Sequence, residues 1–434
     1  MSDSAASEPP EPEIPFNIGD AEDSLERMCE LNARFGDIYR VYSPGRRRYA
    51  YVINHPDDVR RVLVSNHANY TKGFGLDRVK MLLGNGLVTS EGEFWRSQRY
   101  LMQPMFHRRV ITQFAAVIAA ANEQLLARWE QRAAAGELIN VTDEMSELTL
   151  EVILRAVFGS DLDRLSEQLG GNPFQIITRD PARDLTFAYR FRQLRKLVGE
   201  LAERRRTDTA EHFDFIGMLV SARHRATGEP MGERALIDEV MTLIIAGHET
   251  AASTLNSAWY LLSQHPEALA RLHAELDAAP EQDVPDLAAT EALPYTRSVL
   301  QETLRLYPAV WLLSRKTLGP DLLAGFAIPT GVDVLLSPYL IHRHPRFWSE
   351  PESFRPERAE FAPQAQRPPF AYVPFSAGPR HCIGESMALF EMCVHLYKIA
   401  RRYRLIYPPG QPMQLEALIN LRTRQPLMMR LQRR

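Results

Sequence analysis

The sequence predicts a mainly α-helical fold with small β-sheets. Apolar residues recur at helical spacing over long stretches, above all Val141 to Phe158 and Ala235 to Ser263. Two stretches have the composition of strand pairs, residues 38–53 around Pro44-Gly45 and residues 325–336 around Pro329-Thr330-Gly331. With 434 residues and 45% hydrophobic content, the chain can bury a large core.

The first fifteen residues differ from the rest. Met1 to Pro15 is acidic, proline-rich and poor in apolar residues, so we expect a disordered segment rather than a signal peptide. No internal repeat divides the remainder, which predicts a single domain over residues 16–434.

Composition narrows the class of partner. A formal net charge of −3 gives no general attraction to nucleic acid or to an anionic membrane. Three cysteines without a C-x-x-C pair are typical of a reducing compartment. No window approaches the roughly 20 apolar residues of a membrane span. We therefore expect a cytoplasmic protein with no membrane anchor.

Shorter elements follow in chain order. We expect a helix over residues 21–35, a glycine-rich loop over 73–93 that could line a pocket, and helical periodicity over 110–132. A loop rich in proline and acidic residues is expected over 278–293, and an amphipathic helix over 385–402 carries Cys393.

The segment from Phe375 to Gly384 has the spacing F-x-x-G-x-R-x-C-x-G. As an iron ligand, Cys382 would have to be a thiolate, which nearby cations and helix-end amides stabilise. Arg380 supplies a permanent cation, while Gly378 and Gly384 carry no Cβ and so permit a tight turn and a helix start against a flat cofactor. Phe375 would keep water from the sulfur. The alternative is a buried core cysteine after a Gly-Pro turn.

This segment resembles the haem-binding loop of the cytochrome P450 monooxygenases, which bind haem iron through a cysteine thiolate. Three further motifs extend the resemblance over nearly all residues after the first fifteen: Trp95-x-x-x-Arg99, Ala246-Gly247-His248-Glu249-Thr250, and Glu302-x-x-Arg305 with Arg358 as its partner. One departure is His344, where the family often has Asp. His342 and His344 lie two apart, but no third ligand is near, so we predict no metal site there.

The resemblance implies a triangular-prism fold that holds haem b between the long helix and the Cys382 loop. It implies that Trp95, Arg99, Arg315 and Arg380 lie at the haem propionates, that Ala246 and Gly247 leave room for the ring and a diatomic ligand, and that Glu302, Arg305 and Arg358 form scaffold. Glu249 and Thr250 would deliver protons. His248 is interpreted as structural.

A mobile lid is expected within residues 174–206. The residues expected to line the substrate pocket are apolar: Phe74, Leu76, Leu87, Val88, Leu243, Val310, Trp311, Leu312, Ile419 and Leu421.

The reaction implied is insertion of one oxygen atom from O₂ into a hydrophobic small molecule, with fatty acids, terpenes, steroids and polyketides all open. The chain has no C-x₄-C-x₂-C and no G-x-G-x-x-G spacing, so electrons would come from a separate ferredoxin or flavodoxin with its reductase. Basic residues from segments on the cysteine side would dock it: Arg96, Arg108, Arg109, Arg380, His381, Arg401, Arg402 and Arg404. The alternative is a non-catalytic haem protein that binds a ligand or gas, which would have no need of the Glu249-Thr250 pair.

Overall fold

A computed structural model of the chain describes residues 8–434 apart from Ala21, residues 180–184, Thr209, Glu211, Ala226, Pro363 and Gln364. The predicted disordered segment and the predicted lid thus lie partly outside the described residues. Within residues 8–15, the Pro10 carbonyl accepts a hydrogen bond from the Arg40 amide (2.9 Å), and Glu8 and Glu11 pair with the Arg40 guanidinium.

Helices make up most of the described chain. In order they are α1 (Ser24–Phe35), α2 (Pro56–Arg60), α3 (Leu76–Leu83), α4 (Gly92–Met102), α5 (Arg108–Ile111), α6 (Ala115–Ala134), α7 (Val141–Phe158), α8 (Asp161–Leu169), α9 (Ile176–Arg179), α10 (Leu185–Thr207), α11 (Phe215–Ser221), α12 (Glu233–Gln264), α13 (Pro266–Ala278), α14 (Leu287–Glu291), α15 (Pro294–Leu306), α16 (Pro338–Ile341) and α17 (Glu385–Arg402).

The strands are short. They are β1 (Ile38–Ser43), β2 (Arg48–Ile53), β3 (Tyr70–Lys72), β4 (Leu138–Asn140), β5 (Leu313–Thr317), β6 (Asp321–Leu323), β7 (Phe326–Ile328), β8 (Asp333–Leu336), β9 (Tyr403–Ile406), β10 (Leu415–Ala417), β11 (Leu421–Thr423) and β12 (Met428–Arg433). The mainly helical class with small sheets is therefore confirmed.

The chain folds into two compact units, each drawn from three stretches of sequence, so neither is a contiguous segment. Unit 1 takes its described residues from Met1–Leu76, Ser298–Cys382 and Pro412–Gln425. Its main sheet has the strand order β1-β2-β8-β5-β3, and β8, which lies at its centre, is buried along its whole length. Apolar residues of α1, β1 and β2 pack with Trp311 and Leu335 into one core.

Unit 2 takes its described residues from Asp77–Arg297, Ile383–Gln411 and Pro426–Arg434. Its long helix α12 packs along α7, which the Asn140 side chain caps at the Asp143 amide (3.3 Å). A buried stripe on α12 from Leu236 to Leu262 supplies the apolar face of this contact. Strands β4, β12 and β9 form a small sheet at its side.

Three sequence expectations need correction. Residues 73–93 are not all loop, since α3 occupies Leu76–Leu83, and residues 278–293 contain α14. The strands within 325–336 do not pair with each other: β7 pairs with β6, whereas β8 lies between β2 and β5. Turn residues mark where a strand ends, but long-range contacts choose its partner.

The expectation that no segment approaches the length and apolarity of a membrane span also needs correction. Among the described residues, the run Arg108–Ala134 is long and apolar enough to cross a membrane, and half of its most apolar window is buried inside the protein. Core helices of this length meet the same criteria, and Leu125, Leu126 and Trp129 of this run lie in the core of unit 2.

Candidate active site

The Cys382 loop in unit 1 is held by its own backbone. The Cys382 amide donates to the Phe375 carbonyl (3.0 Å), and the His381 amide donates to the Gly378 carbonyl (3.0 Å). These bonds close the segment into a compact loop that ends three residues before α17 begins, and the Cys382 side chain is exposed.

Gly378 is required for two physical reasons. Its φ of +69° lies in the left-handed region, and a Cβ there would fall onto the Leu63 carbonyl oxygen in the π-helical turn Arg61–Ser65. Ser376, two residues earlier, also has a positive φ of 62°. The sequence predicted the tight turn; the close approach to a second backbone segment was visible only in the structure.

The three cysteines have different surroundings. Burial raises the pKa of the Cys393 thiol to about 12 and that of Cys29 to about 11, so both stay protonated and poorly nucleophilic at neutral pH. Cys393 is a buried residue of α17, the helix on which the sequence placed it. Cys382 differs because it is exposed and lies just before an 18-residue helix, whose N-terminal amides favour a nearby anion.

Glu302, Arg305 and Arg358 are brought together in unit 1. One Glu302 oxygen accepts from Arg305 Nε and the other from Arg358 Nε, both at 2.7 Å, and all three side chains are fully buried. Arg305 also donates to the carbonyls of His342, Pro351 and Ser353, and Arg358 donates to those of Ser349, Glu350 and Ser353. The network ties α15 to residues 342–358 and satisfies both guanidinium groups almost entirely with protein atoms.

His342 and His344 are explained by local contacts in unit 1. The His342 ring accepts from the Val373 amide (2.8 Å), and burial together with the Arg305 and Arg343 charges holds its pKa well below the usual range. His344 Nε2 lies 2.7 Å from the Asp37 carboxylate. His342 thus helps to position the chain two residues before Phe375.

Two further basic candidates also belong to unit 1. Arg315 lies in the middle of β5, opposite Lys72 and Val334, and donates to the Ser314 carbonyl (2.9 Å). Arg380 is partly buried within the Cys382 loop. Neither position tests the predicted propionate contact, which stays a prediction.

The centre of α12 in unit 2 contains the second motif. The Thr250 hydroxyl donates back to the Ala246 carbonyl (2.8 Å), and the Thr254 hydroxyl donates in the same way to the Thr250 carbonyl one turn later (2.9 Å). Ala246 is exposed, and Glu249 and Thr250 are partly buried on the same helix.

Gly247 has a packing explanation. A Cβ there would lie 2.9 Å from Ile153 Cδ1 of α7, so the missing side chain allows the two helices to approach closely. His248 is buried against the same helix, where its Nε2 lies 2.9 Å from the Ser146 hydroxyl. His248 is thus structural, and the predicted room for haem at Gly247 is not needed to explain the glycine.

Trp95 and Arg99 lie one turn apart on α4. The Trp95 amide closes the first turn by donating to the Glu91 carbonyl (3.2 Å), and both side chains are partly buried. Their haem contact stays a prediction.

The predicted lining residues divide between the units. In unit 1, Trp311 and Leu421 belong to the apolar core, with 1% and 2% of their surface exposed, and the Trp311 indole donates to the Leu418 carbonyl (2.8 Å). Core packing explains both, and their role in lining a pocket stays a prediction. Those with more accessible side chains in unit 1 are Phe74, Leu76, Val310, Leu312 and Ile419.

In unit 2, Leu87 is partly buried, Val88 is exposed and Leu243 is buried on α12. Two residues near them were missed by the sequence reasoning. Asp238 accepts the Asn85 amide (2.7 Å) and Glu239 accepts the Leu87 amide (2.8 Å), so both carboxylates hold the loop that carries Leu87 and Val88. The signal was present as two adjacent acids inside an apolar helical run, since buried charges need partners.

The described residues suit a haem group held by thiolate. Cys382 is the exposed cysteine, and its loop is fixed by backbone bonds, so a ligand sulfur would be presented in a defined place. Cationic side chains on the candidate segments match the anionic propionates of such a group.

Comparisons with known proteins agree with this fit. The family model described as Cytochrome P450 matches residues 13–428. The chain is 34% identical over 406 residues to Cyclooctat-9-en-7-ol 5-monooxygenase of Streptomyces melanosporofaciens, covering 89% of this chain and 86% of the relative. It is 28% identical to Pentalenene oxygenase of Streptomyces avermitilis, covering 91% and 89%. Its fold matches the crystal structure of a cytochrome P450DA heme domain with a TM-score of 0.86 at 24% identity, over 99% of this chain and 98% of that one.

Proposed function

Because the chain belongs to the cytochrome P450 family and is a monooxygenase enzyme, we propose that it inserts one oxygen atom from O₂ into a hydrophobic small molecule. The observation that carries this proposal is the contrast among its cysteines. Cys29 is partly buried and Cys393 is buried, and both have raised pKa values, whereas Cys382 is exposed on a backbone-bonded loop before α17. The alternative of a non-catalytic haem protein loses support because one relative is named a monooxygenase and the other an oxygenase.

We propose haem b as the cofactor, with Cys382 as its thiolate ligand. When bound, the thiolate-ligated haem iron supplies the reductive activation of O₂. Phe375 and Gly378 hold the loop, and Arg380 contributes a cation beside the ligand. The remaining residues proposed to contact the cofactor are Trp95, Arg99, Ala246, Gly247, Arg315 and Gly384.

Thr250 and Glu249 are proposed to move protons to the reacting oxygen. The Thr250 hydroxyl is held by the Ala246 carbonyl, so its oxygen lone pairs remain available to accept a proton donor such as water. Glu249, adjacent on a partly buried face, supplies a carboxylate that can exchange protons with solvent.

Of the four substrate classes left open by the sequence, we propose terpenes. Two relatives carry cyclooctat-9-en-7-ol and pentalenene in their names, and this chain covers more than four-fifths of each relative. The predicted lining is apolar, which suits a substrate with few polar groups. Oxidation would then occur at a position chosen by the shape of the lining rather than by a charged anchor.

Electrons are proposed to come from a separate ferredoxin or flavodoxin with its reductase. The structure weakens one part of the docking hypothesis, since several of the basic residues are already paired within unit 2: Arg96 with Glu93, Arg108 with Glu291 (2.5 Å), and Arg402 with Glu123 (3.2 Å). Arg109 and Arg404 are exposed and remain the better candidates in that unit for steering an acidic partner.

The cysteine assignment is tested by the absorption of the reduced protein with carbon monoxide. The wild-type complex should absorb at ~450 nm, as thiolate-ligated haem of this family does. Cys382→Ala should abolish that band, and Cys393→Ala is the control that should keep it. A band typical of histidine-ligated haem in fresh wild-type protein would contradict the proposal.

A further inference from the structure

Asp238 and Glu239 are adjacent carboxylates on α12, and 1% or less of each residue is exposed. Burying a charge is costly unless it is paired or hydrogen-bonded, so two such residues side by side need a reason. The mechanism proposed above uses neither of them.

Both carboxylates accept backbone amides from one loop, residues 84–89. Asp238 accepts from Asn85 (2.7 Å), and Glu239 accepts from Leu87 (2.8 Å). The loop closes on itself through the Thr89 hydroxyl, which donates to the Gly84 carbonyl (2.7 Å). Fixing two amides two residues apart defines the path of the chain, and with it the directions in which Leu87 and Val88 extend.

The loop lies directly on the helix. A Cβ at Gly84 would overlap the Asp238 carboxylate, and one at Gly86 would overlap the Thr242 hydroxyl. The two glycines therefore allow a close approach that any larger residue would prevent.

Arg195 of α10 completes the arrangement. Its guanidinium pairs with Asp238 and also donates to the Leu83 carbonyl at the end of α3 (3.0 Å). One side chain thus connects α10, α12 and the start of the loop. The Arg195 side chain is 24% exposed, whereas that of Asp238 is 2% exposed, so the pair lies at the edge of the buried region.

A second arginine of α10 is held very differently. Arg205 pairs with Asp161 (2.6 Å) and Asp214 (2.8 Å), and only 3% of its side chain is exposed. It lies ten residues after Arg195, about 15 Å along the helix. The C-terminal end of α10 is therefore anchored in the core, whereas the middle of the helix is held by Arg195, whose ion pair is partly exposed to solvent.

We propose that Arg195, through Asp238, is a positioning residue for substrate recognition. Its guanidinium steadies Asp238 and Leu83 at the start of the loop that presents Leu87 and Val88, so its loss loosens the loop and the middle of α10 together. This inference rests on the proposed function, because it assumes that Leu87 and Val88 line the substrate pocket.

Hydrogen exchange on the haem-loaded protein tests the anchoring itself. In Arg195→Gln, the amides of Asn85 and Leu87 should exchange at least about tenfold faster than in wild type. Local opening of residues 84–89 would then no longer require the ion pair between Arg195 and Asp238 to break. Arg195→Lys should restore part of the protection. Arg206→Gln is the matched control, because Arg206 lies on the same helix, is 25% exposed and donates to the Met231 carbonyl (3.0 Å). Unchanged exchange at both amides in Arg195→Gln would overturn the proposal.

Ligand titration followed at the haem absorption band tests recognition. Imidazole is small, whereas clotrimazole is bulky enough to contact the residues that line the proposed substrate pocket. Arg195→Gln should change the clotrimazole dissociation constant by about tenfold, the scale of one lost positioning contact, and leave that of imidazole unchanged. Faster exchange with unaltered clotrimazole binding would overturn the recognition role. If neither azole perturbed the wild-type spectrum, the proposed function would fail instead, and the exchange comparison would still decide the anchoring.

Discussion

The Cys382 loop and the centre of α12 carry the proposed chemistry, and they are built in opposite ways. The loop is irregular, with positive φ at Ser376 and Gly378, and its shape is set by backbone bonds and by a close approach to Leu63. The helix centre is regular, and the side chain proposed to act there is the Thr250 hydroxyl, bonded back to the Ala246 carbonyl. The backbone alone thus holds the proposed ligand position, whereas the proposed proton delivery depends on individual side chains.

The largest effect should come from Gly378→Ala. The new Cβ would meet a carbonyl oxygen, so the backbone must shift as well as adopt a strained φ, and we expect at least about 4 kcal/mol of destabilisation and little haem-loaded protein. Gly410→Ala is a matched control, since Gly410 has a similar φ of +75° with nothing within 4 Å of the added atom. If chemical denaturation gave the same loss of stability for both variants, the strained φ alone would explain the effect, without the clash at Leu63.

Arg358→Ala should have the next largest effect. It leaves Glu302 with a buried charge that is only partly compensated, and breaking such a pair costs about 3–5 kcal/mol. Arg355→Ala, which removes an exposed pair with Glu350, should cost less than about 1 kcal/mol. Urea denaturation of both variants measures the difference. If Arg358→Ala lowered the free energy of unfolding as little as Arg355→Ala does, the network of Glu302, Arg305 and Arg358 would be dispensable for stability.

Thr250→Ala should leave the fold and haem content intact but uncouple electron use from product formation. Loss of a proton-transfer group typically costs 10²–10⁴-fold, so product formed per electron should fall by about a hundredfold. Thr254→Ala removes the same backward hydrogen bond one turn later and should leave the ratio unchanged. An unaltered ratio in Thr250→Ala would remove this residue from the mechanism.

The smallest effect concerns the thiols. At pH 8 only about a thousandth of Cys29 is thiolate if its pKa is about 11, and less of Cys393, so iodoacetamide should not label either one. Protein produced without haem should be labelled at Cys382, and haem-loaded protein should not. Mass spectrometry of tryptic peptides gives the site; rapid labelling of Cys393 in folded protein would contradict the assigned burial.

Much of the fold was predictable because helices α7, α12 and α17 depend on local apolar periodicity. The predicted range for α7 matches the structure, and that for α12 differs by two residues at its start and one at its end. The pairing of Glu302 with Arg305 was also predictable from their spacing, whereas Arg358, 56 residues after Glu302, was assigned only from the resemblance to the family. The strand partners of β7 and β8 were not, since turn residues carry no information about which distant strand will pair.

The helical class was predictable from apolar periodicity along the chain. The residue proposed to bind iron was predictable from the motif around Cys382 and its resemblance to the family, because both are local patterns in the sequence. Only the tertiary structure explains why residue 247 is a glycine and shows which arginines are already paired. It also shows that Asp238 and Glu239 hold residues 84–89 and that Arg195 pairs with Asp238. These properties depend on contacts between elements far apart in sequence. Whether a charged side chain meets an opposite charge, an amide or water is settled only when those elements pack.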